Sequence, residues 1–146
     1  MHPTRDDITA AAARIAPHIR RTPVLRMAGQ DLGLGIPVIL KLELLQATGS
    51  FKPRGAFNRM LTGAVPAAGV VTASGGNHGA AVAYAAARLG HRAEVFCPVI
   101  TPAAKTARIE SYGATLHRAG AAYDEARVAS EARAAETGAT LVHAYD

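Results

Sequence analysis

The sequence predicts an α/β fold in which a parallel sheet is flanked by helices. Three observations carry that expectation. From residue 70 short branched runs alternate with longer Ala-rich runs, the connections between them are brief, and a glycine stands where each helical run ends. At 146 residues the chain can bury roughly 70% of its unfolded surface, enough for a core on both faces of such a sheet.

The elements follow in order. Thr4 can cap a helix with Asp7 three residues on, and Ile8, Ala12, Ile15 and Ile19 then mark one apolar face, until Pro17 ends or kinks the run. After the extended "RRTPVL", a Gly-rich stretch leads into "VILKLEL", residues 38 to 44, whose branched residues predict a buried strand with Lys41 and Glu43 on one face. Ser50 as N-cap and Pro53 in a first turn predict a helix entered at Phe51. "VVTA" then reads as a strand, "NHGAAVAYAAARLG" as a helix closed by Gly90, and "AEVFCP" as the next strand. Thr101 and Pro102 open a helix that Gly113 closes. "ATLH" is a third strand, "DEARVASEARAAETG" a helix and "ATLVHAY" a fourth strand.

Composition narrows the classes of function. Sixteen basic and eleven acidic residues give +5, but the arginines are scattered among acids and aromatic residues are few, so no nucleic-acid partner is expected. The single cysteine, Cys97, forms no internal disulfide, reads as a small core residue, and suits a reducing, cytoplasmic setting. No apolar run approaches the ~20 residues of a membrane span, and the acids in "MHPTRDDITAAAARI" do not suit a signal peptide. No second histidine stands near His78 at a ligand spacing, so no metal is expected.

Two short stretches hold the candidate chemistry. In "ATGSFKPRGAF" one of only three lysines, Lys52, falls in a first helical turn. The helix N-terminus there disfavours an ammonium by ~0.3 to 1 kcal/mol at a surface site. Either this amine gives up its proton readily, as a Schiff-base nucleophile must, or it snorkels to water. In "SGGNHGA" a predicted strand ends and a helix begins, and the bare backbone at Gly75 and Gly76 can aim N–H groups at a carboxylate or phosphate. The alternative is a tight turn, with Asn77 a cap and His78 a half-buried imidazole. The glycines lack the spacing of a dinucleotide fingerprint, and Ser74 has no evident base.

Taken together, "KLELLQATGSFKPRGAFNRM" followed by "VVTASGGNHGAAVAYAAARLG" resembles the threonine/serine dehydratases, pyridoxal-phosphate enzymes of the tryptophan-synthase-β type. The resemblance runs from about Thr22 through "FCPVITPAAKTARIESYGATLHRAGAAYDEA" to "VHAYD". It implies that residues 1–68 are the first part of the large domain, left incomplete, and that residues 69–146 are the small βα domain. It implies pyridoxal 5'-phosphate as cofactor, held covalently by Lys52, with Phe51 against the pyridine ring and Asn77 on the phenolic oxygen. Ser74, Gly75, Gly76 and His78 match the loop that takes the substrate carboxylate. The implied reaction deaminates L-threonine or L-serine to 2-oxobutanoate or pyruvate plus ammonia.

Gly75 refines the resemblance. Serine racemases carry a serine there as the acid/base on the face opposite the lysine, so elimination is expected rather than racemisation. His78 departs from the cysteine synthases, which have threonine at the matching place. Nothing in the chain matches the family's phosphate loop or the residue facing the pyridine nitrogen. The expectation is therefore a truncated chain that requires a complementing C-terminal half or self-association. The other readings are a non-catalytic ligand-binding or interaction domain, and a serine racemase relative. Stabilisation by ligand without turnover would mark the binding domain.

Overall fold

The computed structural model describes residues 2–145. The first helix, α1 (Arg5–Ile15), begins with the predicted capping box. Thr4 Oγ1 accepts from the Asp7 N–H at 3.2 Å, and Asp7 Oδ2 accepts from the Thr4 N–H at 2.8 Å. Its apolar face is shorter than expected. Ile15 is buried, but Ile8 is 60% exposed because only the last turn meets the body of the protein. Pro17 lies in a 3-10 turn, Ala16–His18, that ends the helix.

The predicted buried strand is corrected in length and burial. Strand β1 (Val24–Met27) pairs antiparallel with β2 (Val38–Lys41), and these two form a sheet of their own. Neither is sandwiched between layers, so the branched residues of β2 alternate between half-buried and exposed. The chain leaves the strand at Leu42, and Glu43 sits in a 3-10 turn, Glu43–Leu45. There it binds three segments together. Glu43 Oε1 accepts from Thr22 Oγ1 at 2.6 Å, and Arg54 donates through Nε and a terminal nitrogen, each at 2.8 Å. Arg54 belongs to α2 (Lys52–Thr62), which starts one residue later than predicted. Ser50 Oγ still accepts from the Lys52 N–H, at 3.4 Å.

The rest is a parallel four-stranded sheet in the order β5-β4-β3-β6. Its strands are β3 (Val70–Ala73), β4 (Ala93–Cys97), β5 (Thr115–Arg118) and β6 (Thr140–Leu141). Every residue of β3 and β4 is buried, as expected for strands covered on both faces. Helix α3 (Asn77–Leu89) covers one face, with Ala81, Val82, Ala85 and Ala86 fully buried. Alanine suits that helix because α3 also packs on α2, through Ala56, Phe57 and Met60. Helix α5 (Tyr123–Thr137) covers the other face, where Val71, Phe96, Ala126 and Ala139 form a smaller core. Gly90 and Gly138 end α3 and α5 at φ 75° and 71°, as the predicted glycine stops require.

The start of α4 and the length of the last strand also differ from the sequence reading. Helix α4 (Ala103–Glu110) starts after Pro102, and the Thr101 side chain does not cap it. The fourth strand is only two residues of ladder, although the Val142 N–H still donates to the Val71 carbonyl at 2.9 Å. Among the described residues no helix is long and apolar enough to cross a membrane.

A second carboxylate clasp fixes α5 to the sheet. Arg133 donates to both oxygens of Glu94, through Nε at 3.0 Å and a terminal nitrogen at 3.1 Å, and His117 Nε2 lies 2.7 Å from Glu94 Oε2. The Arg133 guanidinium holds the Glu94 carboxyl below the usual carboxylate range against the opposing effect of burial, and His117 adds to it. At Glu43 the Arg54 guanidinium does the same, lowering the carboxyl from its ordinary 4.5 to about 2. At 1.36 kcal/mol per pH unit this displacement is worth roughly 3 kcal/mol. A depressed folded value means that this stability is complete above 4.5 and is lost as pH falls toward 2. Urea unfolding across that range should show stability falling steeply with acid in the parent chain. The fall should be visibly shallower in Glu43→Gln; an unchanged slope would mean that Glu43 is not the linked group.

Candidate active site

Lys52 reaches its position through a sharp turn. Thr48 and Gly49 both take left-handed backbone angles, φ 60° and 65°, immediately before Ser50 and Phe51. Such a conformation is costly for a β-branched residue. Thr48 is also buried, and its hydroxyl lacks a hydrogen-bond partner among the described residues. The turn swings the chain from the Glu43–Leu45 segment into α2 and leaves the Phe51 ring 59% exposed beside the lysine. Sequence reasoning missed Thr48, since only the Gly that follows it hinted at a turn.

The Lys52 amine faces a cavity of about 380 Å³ lined by Phe51, His78, and residues 142–145 among others. Nζ donates to the Ala144 carbonyl at 2.7 Å and lies 5.3 Å from the Phe51 ring centroid and 5.6 Å from that of Tyr145. No carboxylate pairs with it among the described residues. The amine is thus held by a neutral acceptor and two aromatic faces, an arrangement open to an electrophilic carbonyl compound.

Segment 142–145 arrives there because Val142 is pinned. Its carbonyl accepts from Thr72 Oγ1 at 2.7 Å and from His78 Nε2 at 3.2 Å. A carbonyl can only accept, so this contact places a proton on Nε2 of His78. His78 is buried at the start of α3 and shares the Lys52 cavity.

The remaining predicted residues lie differently. Ser74, Gly75 and Gly76 form the turn from β3 into α3, and Ser74 Oγ accepts from the Gly76 N–H at 3.2 Å. One of the turn's amides is therefore directed inward. Gly76 and the exposed Asn77 open on a second cavity of about 200 Å³, beside Lys105 and Arg108 of α4. The structure thus brings Phe51, Lys52 and His78 to one cavity and Gly76 and Asn77 to another, while Ser74 and Gly75 line neither. A Cβ on Gly75 would meet Thr101 Cγ2 at 2.5 Å and Oγ1 at 2.7 Å. A Cβ on Gly79 would overlap the Ser74 carbonyl, so that glycine lets α3 begin directly beneath the strand end. Among the described residues no group of three or more metal-binding side chains converges.

A family model described as pyridoxal-phosphate dependent enzyme matches residues 15–146. The catabolic L-threonine dehydratase of Staphylococcus aureus strain USA300 is 42% identical, and the match covers 96% of this chain and 41% of that protein. The solved T.th. threonine deaminase has a TM-score of 0.85 at 41% identity, covering 97% of this chain and 45% of that one. Maize serine racemase has a TM-score of 0.86 at 38% identity, covering 94% and 43%. The chain spans less than half the length of these relatives.

Proposed function

Because the chain belongs to the pyridoxal-phosphate dependent enzyme family, we propose that it is part of a threonine/serine dehydratase, a lyase that deaminates L-threonine or L-serine to the 2-oxo acid and ammonia. The observation that carries this reading is the Lys52 amine, set in an aromatic-walled cavity at the start of a helix with a backbone carbonyl as its hydrogen-bond partner. In this reading Lys52 would hold the cofactor through its amine and, when free, would move the proton at the substrate Cα. The cofactor, when bound, supplies the electron sink for the bond broken there. Phe51 flanks the ring, and Asn77 takes the phenolic oxygen. Ser74, Gly75, Gly76 and His78 take the carboxylate of a small hydroxy amino acid.

The residues around Lys52 fit the aldehyde and ring of the cofactor better than its phosphate. The cavity offers an amine and aromatic faces, but no arginine lines it among the described residues. We assign the phosphate to a further part of the protein, in keeping with the greater length of the relatives. Residues 1–68 would then be the first part of a large domain and residues 69–146 a small one. Lys52 and Asn77 now face separate cavities, so in this reading the site rearranges before one ligand touches both.

Racemisation is the competing reading, motivated by the likeness to maize serine racemase. Gly75 opposes it, since this position has neither an acid/base side chain nor room for a serine without moving Thr101. Protein given L-serine should release pyruvate and ammonia; steady accumulation of D-serine without keto acid would defeat the elimination reading. Borohydride reduction of the chain with pyridoxal phosphate, followed by peptide mass mapping, should place the label predominantly on Lys52, with Lys41 and Lys105 as internal references. Equal, sparse labelling of all three would remove the lysine from its assigned role.

A further inference from the structure

A third cavity, of about 260 Å³, lies between the end of α1 and the first turns of α2 and shares no lining residue with the Lys52 cavity. Arg20, Arg21, Lys41 and Arg54 line it together with the aliphatic Ala12, Ala16 and Ile19. We infer that this cavity binds a small dianion with an apolar body, of the aryl phosphate monoester class. The inference does not rest on the dehydratase reading.

Charge is the first ground. Four cationic residues line the one cavity, and the adjacent carboxylate, Glu43, is already engaged by Thr22 and by two nitrogens of Arg54. Each cation keeps donors to spare. Arg54 retains its second terminal nitrogen. Arg20 spends one nitrogen on the Leu45 carbonyl at 3.1 Å, and Lys41 one proton on the Thr22 carbonyl at 2.6 Å. Arg21 is exposed and makes no hydrogen bond or ion pair among the described residues. Like charges gathered at one cavity repel, and a doubly charged ligand offsets that repulsion better than a monoanion does. Guanidinium groups match phosphate oxygens in paired hydrogen bonds, which favours phosphate over a compact halide-like ion.

Shape is the second ground. Part of the lining is aliphatic, from Ala12, Ala16 and Ile19, and Ile19 itself packs against the main core, so it is a fixed surface rather than a loose side chain. A bare inorganic phosphate would leave that surface uncovered. A ligand carrying a ring or short alkyl group would cover it, at roughly 25 cal/mol for each Å² of apolar surface removed from water.

The test is isothermal titration of the purified chain with phenyl phosphate, which carries no aldehyde and so cannot react at Lys52. Saturable binding of one equivalent is expected, weakened by about tenfold in Arg21→Ala as one charge-assisted hydrogen-bonding group is lost. Binding should weaken with added salt and persist in Lys52→Ala. Inorganic phosphate should bind more weakly than phenyl phosphate. Arg21→Gln serves as the second variant, and circular dichroism verifies that each variant is folded. Absence of saturable binding would overturn the inference. So would binding that survives both Arg21 variants but disappears in Lys52→Ala, or inorganic phosphate that binds as tightly as the aryl ester. Labelling of Lys52 by pyridoxal phosphate is read separately, so either assignment can fail without the other.

Discussion

The constraint on which the candidate site depends is the fixing of Val142. This residue is buried at the end of the parallel ladder, its N–H donates to the Val71 carbonyl, and its own carbonyl takes hydrogen bonds from Thr72 and His78. Three elements meet at that one residue: β6 through its continuation, β3 through Val71 and Thr72, and α3 through His78. A buried carbonyl left without donors would cost about 1 to 3 kcal/mol, so the native arrangement strongly favours keeping both. The consequence reaches well beyond the residue itself. With Val142 held, the following three residues are directed toward the first turn of α2, and the Ala144 carbonyl meets the Lys52 amine. A residue of the sheet therefore determines what a lysine in an early helix faces, although more than ninety positions separate Lys52 from Ala144.

Electrostatics organises the other side of α2. Glu43 is shared by Thr22 before the hairpin and Arg54 in the helix, while Lys41 of β2 closes back on the Thr22 carbonyl. A two-stranded sheet is marginal by itself in water, and these bonds tie its end to a helix that has a core of its own. Because Arg54 lies two residues after Lys52, the same clasp helps fix the helical turn that presents the amine. The Glu94, Arg133 and His117 group has a comparable structural role on the far side of the sheet, where it joins β4, β5 and α5 and stacks His117 on Phe96 with ring centroids 4.5 Å apart. Neither clasp lies in the Lys52 cavity, so their charge stabilises architecture and leaves the site with few fixed ions.

What was legible in the sequence follows from the range of each interaction. The alternation from Val70 to Leu141 was readable because its signals are local: branched strands, Ala-rich helices and glycines that accept left-handed angles. The helix start that carries Lys52 was readable for the same reason, since Ser50 and Pro53 frame it, whereas a Schiff-base role for the lysine was favoured only by the family resemblance. The hairpin was misjudged because branched composition does not reveal whether a second layer covers a strand, and β2 has one neighbour only. Ile8 was misjudged because periodicity identifies an apolar face without saying how far along its length another element meets it. The left-handed Thr48, the approach of Ala144 to Lys52, and the separation of Asn77 from that amine depend on contacts between distant segments. No local pattern encodes them.

The Gly75 position shows how such distant contacts bear on chemistry. Considered within its own loop, a glycine there means only that an acid/base side chain is missing, and a serine would seem a small addition. The structure gives the glycine a neighbour, because Thr101 occupies the space that a Cβ would enter. Thr101 is itself restrained: Arg118 of β5 donates to the Val99 and Thr101 carbonyls at 3.2 and 3.3 Å and to Thr106 Oγ1 at 3.1 Å. Those bonds hold the segment between β4 and α4 against the turn that follows β3. A serine at position 75 would therefore have to move the Thr101 side chain, on a residue whose backbone is anchored from a third strand. The exclusion of a side chain from position 75 is then a property of β5 and the β4–α4 connection as much as of the glycine turn.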